Sequence, residues 1–470
     1  MEGKKRTKPR ERACRGKCTF SRQAGRNMQY KICDCTVIDV ENGCALLPHT
    51  DVYIRGGKIE KIVPSGENAQ ADKDGHGRAD GYKTVNGAGK FAVPGLVNLH
   101  VHLFGTGRPS KALGGGKAQQ RLLAFIRTAL GRRILAAMVE NSARNELLSG
   151  VTTLRAVGDL FGSDIALKRK TDAGKGAAAG LRMFVSGMAI TAPGGHGAGT
   201  FARTAETPEE FEKLVEKNVS EGADFIKICI TGGVMDAKKR GEPGEVKMTQ
   251  AQVSTVCSRA HALGKKVAAH VQSKAGAELA AIGGVDTIEH GAPLTEESVR
   301  LLRERKGAQV VTCSPALPCA RLPHEVTKLG EAASYNSEVV MQGMIDGAAQ
   351  AAAAGIAVGI GTDASCPFCT QYNMWREVLW FEKCMKISAA EALYTATLGN
   401  ARILGVGDET GSIRAGKSAD ILLLEGDPIA DLTALRDIDC MFAQGRFISH
   451  PKPKRLPAIE AQLDRLTEEL

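Results

Sequence analysis

Four of the ten histidines in this 470-residue chain close short apolar runs: His100 and His102 in NLHVH, His270 in KVAAH and His290 in VDTIEH. Asp363 ends IAVGIGTD in the same way. On a strand, residues i and i+2 face the same side, so His100 and His102 can ligate one ion together. A lone histidine after a strand is more often a core or loop residue, and HxH alone is a weak signal. Four histidines and an aspartate, each after an apolar run, point to a metal centre.

Lys227 stands inside DFIKICI, between Ile226 and Ile228. A cation there is costly to bury. Two readings stay open from the residues: a snorkelling or paired lysine, or an amine that loses its proton beside metal and adds carbon dioxide. The resulting carbamate is a carboxylate able to bridge two ions.

These residues need elements that carry them to one place. Eight strand-like runs alternate with helical periods: FAVPGLVNLHVH (91–102), VTTLRAVG, LRMFVSG, DFIKICI, KVAAH, VDTIEH, QVVTCS and IAVGIGTD. The spacing predicts helices over 207–221, with Thr207 as N-cap, and over 249–263. Such a repeat predicts a closed (β/α)8 barrel, whose strand C-terminal ends converge on one mouth. A doubly wound sheet has the same periodicity, but no glycine-rich phosphate fingerprint follows any strand. Residues 28–95 and 405–450 are rich in short strands and Gly/Asn turns, which predicts a small composite β-sandwich domain from both ends of the chain. The catalytic barrel is then 96–404. A C-terminal helix is expected within 451–470, with Ile459, Leu463 and Leu466 at helical spacing.

The span from about 28 to 450 resembles the amidohydrolase superfamily. NLHVH is similar to its first-strand motif, ADFIKI to the strand-four lysine of binuclear members, and VAAH, TIEH and GTDA to strands five, six and eight. GSIRAGKSADILLL resembles the sequence that closes its small β domain. GGHGAG and DTIEHG look most like the Xaa-Pro dipeptidase and ochratoxinase-like branch. The resemblance implies a zinc held by His100, His102 and Asp363 and a second held by His270 and His290. Carboxylated Lys227 and a hydroxide would bridge the two. It implies that Asp363 is the catalytic base and then acid, and that an amide bond of a dipeptide or N-acyl amino acid is cut. His196, in TAPGGHGAG, is expected to touch the substrate. Arg321 and His324, after strand seven, are candidates for a substrate carboxylate, with surface solvation as the alternative. The branch usually carries an acid after the arginine of strand two; Ala156 follows Arg155 here. A homo-oligomer is also implied.

Charge narrows the partners. The chain holds 62 Lys+Arg and 52 Asp+Glu, a net of +10. Residues 1–27 hold ten basic and two acidic residues, so 10 − 2 = +8 of that excess is local and 10 − 8 = +2 remains for the body. A nearly neutral body argues against nucleic acid as a partner. The first 27 residues read as a solvated, disordered extension, with Met28 as an alternative start. No apolar core follows the basic start and no long apolar run exists, which predicts a cytoplasmic chain without a membrane span. The 13 cysteines are expected to be mostly reduced, including Cys366 and Cys369 of DASCPFC.

Two other functions fit the same fold. One is a mononuclear deaminase or imidazolonepropionase-like ring hydrolase, whose relatives generally lack the strand-four lysine. The other is a non-enzymatic scaffold that has lost its metal ligands.

Overall fold

A computed structural model describes residues 29–66, 78–79, 81–109, 116–234, 237 and 239–470. The basic extension 1–27 and most of the polar stretch 65–80 lie outside the described residues.

The eight barrel strands are β1 (Leu96–Val101), β2 (Val151–Ala156), β3 (Arg182–Val185), β4 (Ile226–Cys229), β5 (Val267–Val271), β6 (Thr287–His290), β7 (Ala308–Val311) and β8 (Ala357–Ile360). All neighbours are parallel: β1 to β3 in one sheet and β4 to β8 in another. Two seams join these sheets. At one, Asp363 N donates to His100 O at 2.8 Å and His102 N to Ala364 O at 3.1 Å, joining β8 to β1. At the other, Asp224 N donates to Val185 O at 2.8 Å, and the Asp224 carboxylate accepts from Val185 N at 2.9 Å. The strands thus form a (β/α)8 barrel.

Alternation along the strands decides what faces where. Ile226, Ile228, Val267, Ala269, Val271 and Ile288 point outward into one apolar cluster with Phe211, Val215, Val253 and Val256 of the covering helices. Each such large side chain contributes roughly 1.5–3 kcal/mol when fully buried. Lys227, Cys229, His270 and Glu289 occupy the intervening, inward positions. Cys229, His270 and Glu289 share one level across β4, β5 and β6, and Lys227 lies one inward layer below, registered with Ala268. The covering helices are cut by local chemistry. Thr207 and Glu210 form a reciprocal capping box at the start of Pro208–Glu221, and Thr249 and Gln252 do so for Gln250–Ala262.

The run 91–102 divides at Gly95, where the chain leaves one sheet for another. Phe91–Pro94 pairs with Ile421–Leu424 in the outer sheet, whereas Leu96–Val101 is β1. A Cβ on Gly95 would stand 2.2 Å from Thr152 Oγ1, so only glycine fits this crossing. Among the described residues the outer sheet has nine strands, drawn from both ends of the chain. It folds over until Ala419 N donates to Gly57 O, enclosing Ile32, Val52, Ile54, Ile59, Leu423 and Phe442. The helix Pro457–Glu468 docks through Ile459, Leu463 and Leu466, and Glu460 and Asp464 meet the buried Arg376 guanidinium.

Candidate metal centre

The strand ends bring six side chains together at the barrel mouth. His100 Nε2 and His102 Nε2 lie 3.4 and 3.3 Å from Asp363 Oδ1. Donor atoms of these three residues fall within 4.8 Å of one another, a group that could hold a metal ion. The His290 ring lies 4.8 Å from that of His100 and 4.7 Å from that of His270. Lys227 is buried at 2 % exposure beneath them, and its Nζ has no hydrogen-bond partner.

Backbone strain helps to build the mouth. Strand alternation would send Glu289 and His290 to opposite faces. His290 has a φ of 62°, and this left-handed turn lets its ring reach the cleft beside inward-facing Glu289. Asp363 is also left-handed, with φ 50°. Side chains larger than glycine pay for such conformations by roughly 1–3 kcal/mol, and they concentrate at functional sites.

Each histidine commits one nitrogen to a neighbour and leaves the other available. His100 Nδ1 meets Glu289 Oε2 at 2.7 Å, His102 Nδ1 meets Gly158 O, and His290 Nδ1 meets Thr312 Oγ1 at 2.7 Å. His270 is held from the other side, its Nε2 3.1 Å from Gly232 O. Burial pushes His102, His270 and His290 below the ordinary imidazole value, and for His270 the neighbouring His196 and His290 add to it. Neutral imidazole is the metal-binding form. Burial opposes the charge on Asp363, yet His100 and His102 outweigh it and hold the carboxyl well below its usual range. Burial likewise lowers Lys227 from its ordinary value, with Glu289 opposing. Neutral imidazoles, one ionised carboxylate and an orphaned amine are a donor set that fits divalent metal.

The cleft above is open to solvent and, counting that opening, holds about 540 Å³ of empty space. His196, His270, His290, Asp363 and Cys366 line it together with Pro315, Ala316, Cys319, Val340 and Met344. The His196 ring stacks on that of His270 at 4.3 Å. It also fills the space a Cβ on Gly233 would need, 2.2 Å from His196 Nδ1. Arg321 and His324 are not brought to this cleft. The helix Cys313–Arg321 turns Ala316 and Cys319 towards the cleft, while Arg321 at its end is exposed, 3.7 Å from Glu338. His324 is exposed on the next short helix.

Two buried charged residues that a ligand search passes over stand behind His100. Glu289 meets the His100 ring, and Arg155 meets Glu289 at 2.6 Å. Glu289 carried a signal of the kind that singles out Lys227: a charge at an inward position of an apolar strand. None of the 11 cysteines among the described residues is in a disulfide. No helix among the described residues is long and apolar enough to cross a membrane.

A parallel eight-stranded barrel with such a donor set at its C-terminal mouth defines a class of metal-dependent barrel hydrolase. Comparison with known proteins narrows it: the profile of the amidohydrolase family matches residues 91–448, and the chain belongs to that family. It is 35 % identical to a Bifidobacterium longum protein assigned as a prolidase, whose crystal structure superposes with a TM-score of 0.79 over 93 % of this chain and 99 % of that one. A Xaa-Pro dipeptidase with methionine bound in its active site is 26 % identical, with a TM-score of 0.74 over 90 % of this chain and all of that one. Ochratoxinase of Aspergillus niger is 26 % identical over 361 residues, covering 73 % of this chain and 72 % of that protein. The chain is accordingly a hydrolase acting on carbon–nitrogen bonds of the amide type.

Proposed function

We propose that this chain is a binuclear zinc amidohydrolase cleaving the amide bond of a dipeptide such as Xaa-Pro or of an N-acyl amino acid. The observation that carries the reading is Lys227, a fully enclosed amine without a hydrogen-bond partner, whose electrostatic neighbours include His270, His290 and Asp363. A mononuclear ring hydrolase leaves that amine unexplained. His100, His102 and Asp363 would hold one ion, and His270 and His290 the other. Addition of carbon dioxide to the neutral amine would release one proton and leave a carbamate, an anionic group able to help hold both ions. When bound, the ions supply a water that ionises near neutral pH and a Lewis acid for the scissile carbonyl.

The rest of the chemistry falls to the protein's own groups. Asp363 holds the proton taken from the attacking water on a carboxylate oxygen, then passes it to the departing amine nitrogen. His196, at the cleft wall, orients the substrate through its carbonyl or carboxylate. The relatives assigned as prolidase and Xaa-Pro dipeptidase support an amide substrate.

The test is metal analysis after mild purification, together with a panel of dipeptides and N-acyl amino acids. Two zinc ions per chain and activity that falls when bicarbonate is removed are expected. Fewer than one zinc per chain, with Lys227→Ala fully active, overturns the reading.

A further inference from the structure

Arg155 and Glu289 are both buried, and neither lines the cleft. The Arg155 guanidinium spans three strands. Its Nε donates to Leu99 O at 2.6 Å, its Nη1 to Thr287 Oγ1 at 3.0 Å and its Nη2 to Glu289 Oε1 at 2.6 Å. Thr287 Oγ1 donates in turn to Glu289 Oε1 at 2.6 Å, and the second carboxylate oxygen of Glu289 faces His100 Nδ1 at 2.7 Å.

A buried ion pair is a poor stabiliser by itself, because desolvation offsets the attraction. This pair does something more specific: it grips His100 twice. Arg155 holds the carbonyl of Leu99, one residue before His100, and so fixes the strand. Glu289 holds the ring. An ionised carboxylate only accepts hydrogen bonds, so the His100 proton must sit on Nδ1. Nε2 is then left with its lone pair on the side of Asp363 and His102. With Ala156 next to Arg155, it is Glu289 from β6 that answers the arginine's charge.

We propose that Arg155 and Glu289 are positioning residues that preset the tautomer and ring orientation of His100 for a metal ion. The proposal rests on the reading that His100 is a metal ligand. Partners of this kind, hydrogen-bonded to a ligating histidine, typically matter about 10–100-fold in metal affinity.

The experiment strips the protein of metal and titrates zinc back against a chromophoric chelator, alongside thermal unfolding of the metal-free protein. Glu289→Gln places an amide donor where either His100 or Arg155 needs an acceptor. Its zinc affinity is expected to fall about 10–100-fold at one of the two sites. Arg155→Lys keeps the charge but cannot make the three-point contact, and should show a loss in the same direction. Thr287→Val removes one hydroxyl without unpairing a charge, so it keeps the test open if the charge variants do not fold; a smaller weakening is expected there. Parent-like zinc affinity in a folded variant, whatever its unfolding temperature, reduces the pair to a purely structural role and overturns the proposal. A parent chain that takes up no zinc at all overturns the metal reading itself, and this proposal with it.

Discussion

A Cβ on Gly361 would lie 2.4 Å from the backbone nitrogen of His100 and 2.5 Å from its Cβ. Gly361 follows β8, and its N–H donates to Val311 O at 2.9 Å, so the chain cannot simply swing away. Glycine is thus what lets β8 approach β1 at the level of the proposed ligands. Gly361→Ala should cost roughly 1–3 kcal/mol by overpacking. Its effect on the centre should exceed its effect on the fold, because the displaced strand carries both His100 and His102. Urea unfolding and bound-zinc analysis on the same sample check this. Unchanged zinc content together with unchanged stability would sink it.

The proposed ligand set was legible because alternation is a local property. Outward Ile226 and Ile228 fix Lys227 as inward, and apolar runs ending in His270 or His290 place those residues at strand ends. Glu289 carries the same local signal, but its place beside His290 in one site was not legible. It precedes a histidine that alternation turns to the opposite face, and only the left-handed backbone at His290 brings both to one site. The division at Gly95 was hidden for a different reason: FAVPGLVNLHVH reads as one apolar strand, and the close approach to Thr152 is a long-range contact. Arg321 and His324 follow strand seven closely in sequence. Their distance from the cleft depends on which face the helix Cys313–Arg321 presents, and that face is set by tertiary packing.

Lys227 supplies a prediction opposite in sign to most core substitutions. Its Nζ is enclosed with no hydrogen-bond partner, so in the metal-free protein it lowers stability. Lys227→Met keeps the length of the side chain and removes the polar atom. The metal-free variant should be more stable than the metal-free parent by about 1–3 kcal/mol, the usual cost of an unsatisfied buried group. Zinc uptake should fall from two equivalents towards one. Denaturant midpoints with and without zinc test both halves, and a variant less stable than the parent in the absence of metal would refute the first.

Acid sensitivity should arise where the two ends of the chain meet. Glu41 accepts from Ser412 Oγ at 2.6 Å and from Lys417 Nζ at 3.1 Å, with Arg414 Nε 3.3 Å away. The Ser412 hydroxyl first, against some burial, and then the two cations hold the Glu41 carboxyl down at about 2, from an ordinary 4.5. A depressed folded value means the contribution is fully present above pH 4.5 and is lost as pH falls towards 2. The side chain is 30 % exposed, so solvent screening leaves roughly 1–2 kcal/mol. Glu41→Gln should therefore be less stable than the parent at pH 7, with the gap narrowing between pH 4 and pH 3. Chemical unfolding at those three pH values measures the gap, and a gap independent of pH would count against this assignment.

Cys366 opens a chemical handle on Asp363. Its Sγ lies 3.6 Å from Asp363 Oδ2, and it is a half-buried thiol lining the cleft. Methyl methanethiosulfonate converts a thiol to a methyl disulfide and releases methanesulfinic acid. At Cys366 the added group would crowd the carboxylate proposed to carry the proton and narrow the space for substrate. Activity should fall about tenfold or more, a barrier rise of about 1.4 kcal/mol, and return when a phosphine reduces the disulfide. Among the described cysteines only Cys384 is exposed to a similar degree, so the comparison is direct. Cys366→Ala should resist the reagent while Cys384→Ala should not. If Cys366→Ala is inactivated as readily as the parent, the sensitive group lies elsewhere and the thiol is only a wall of the cleft.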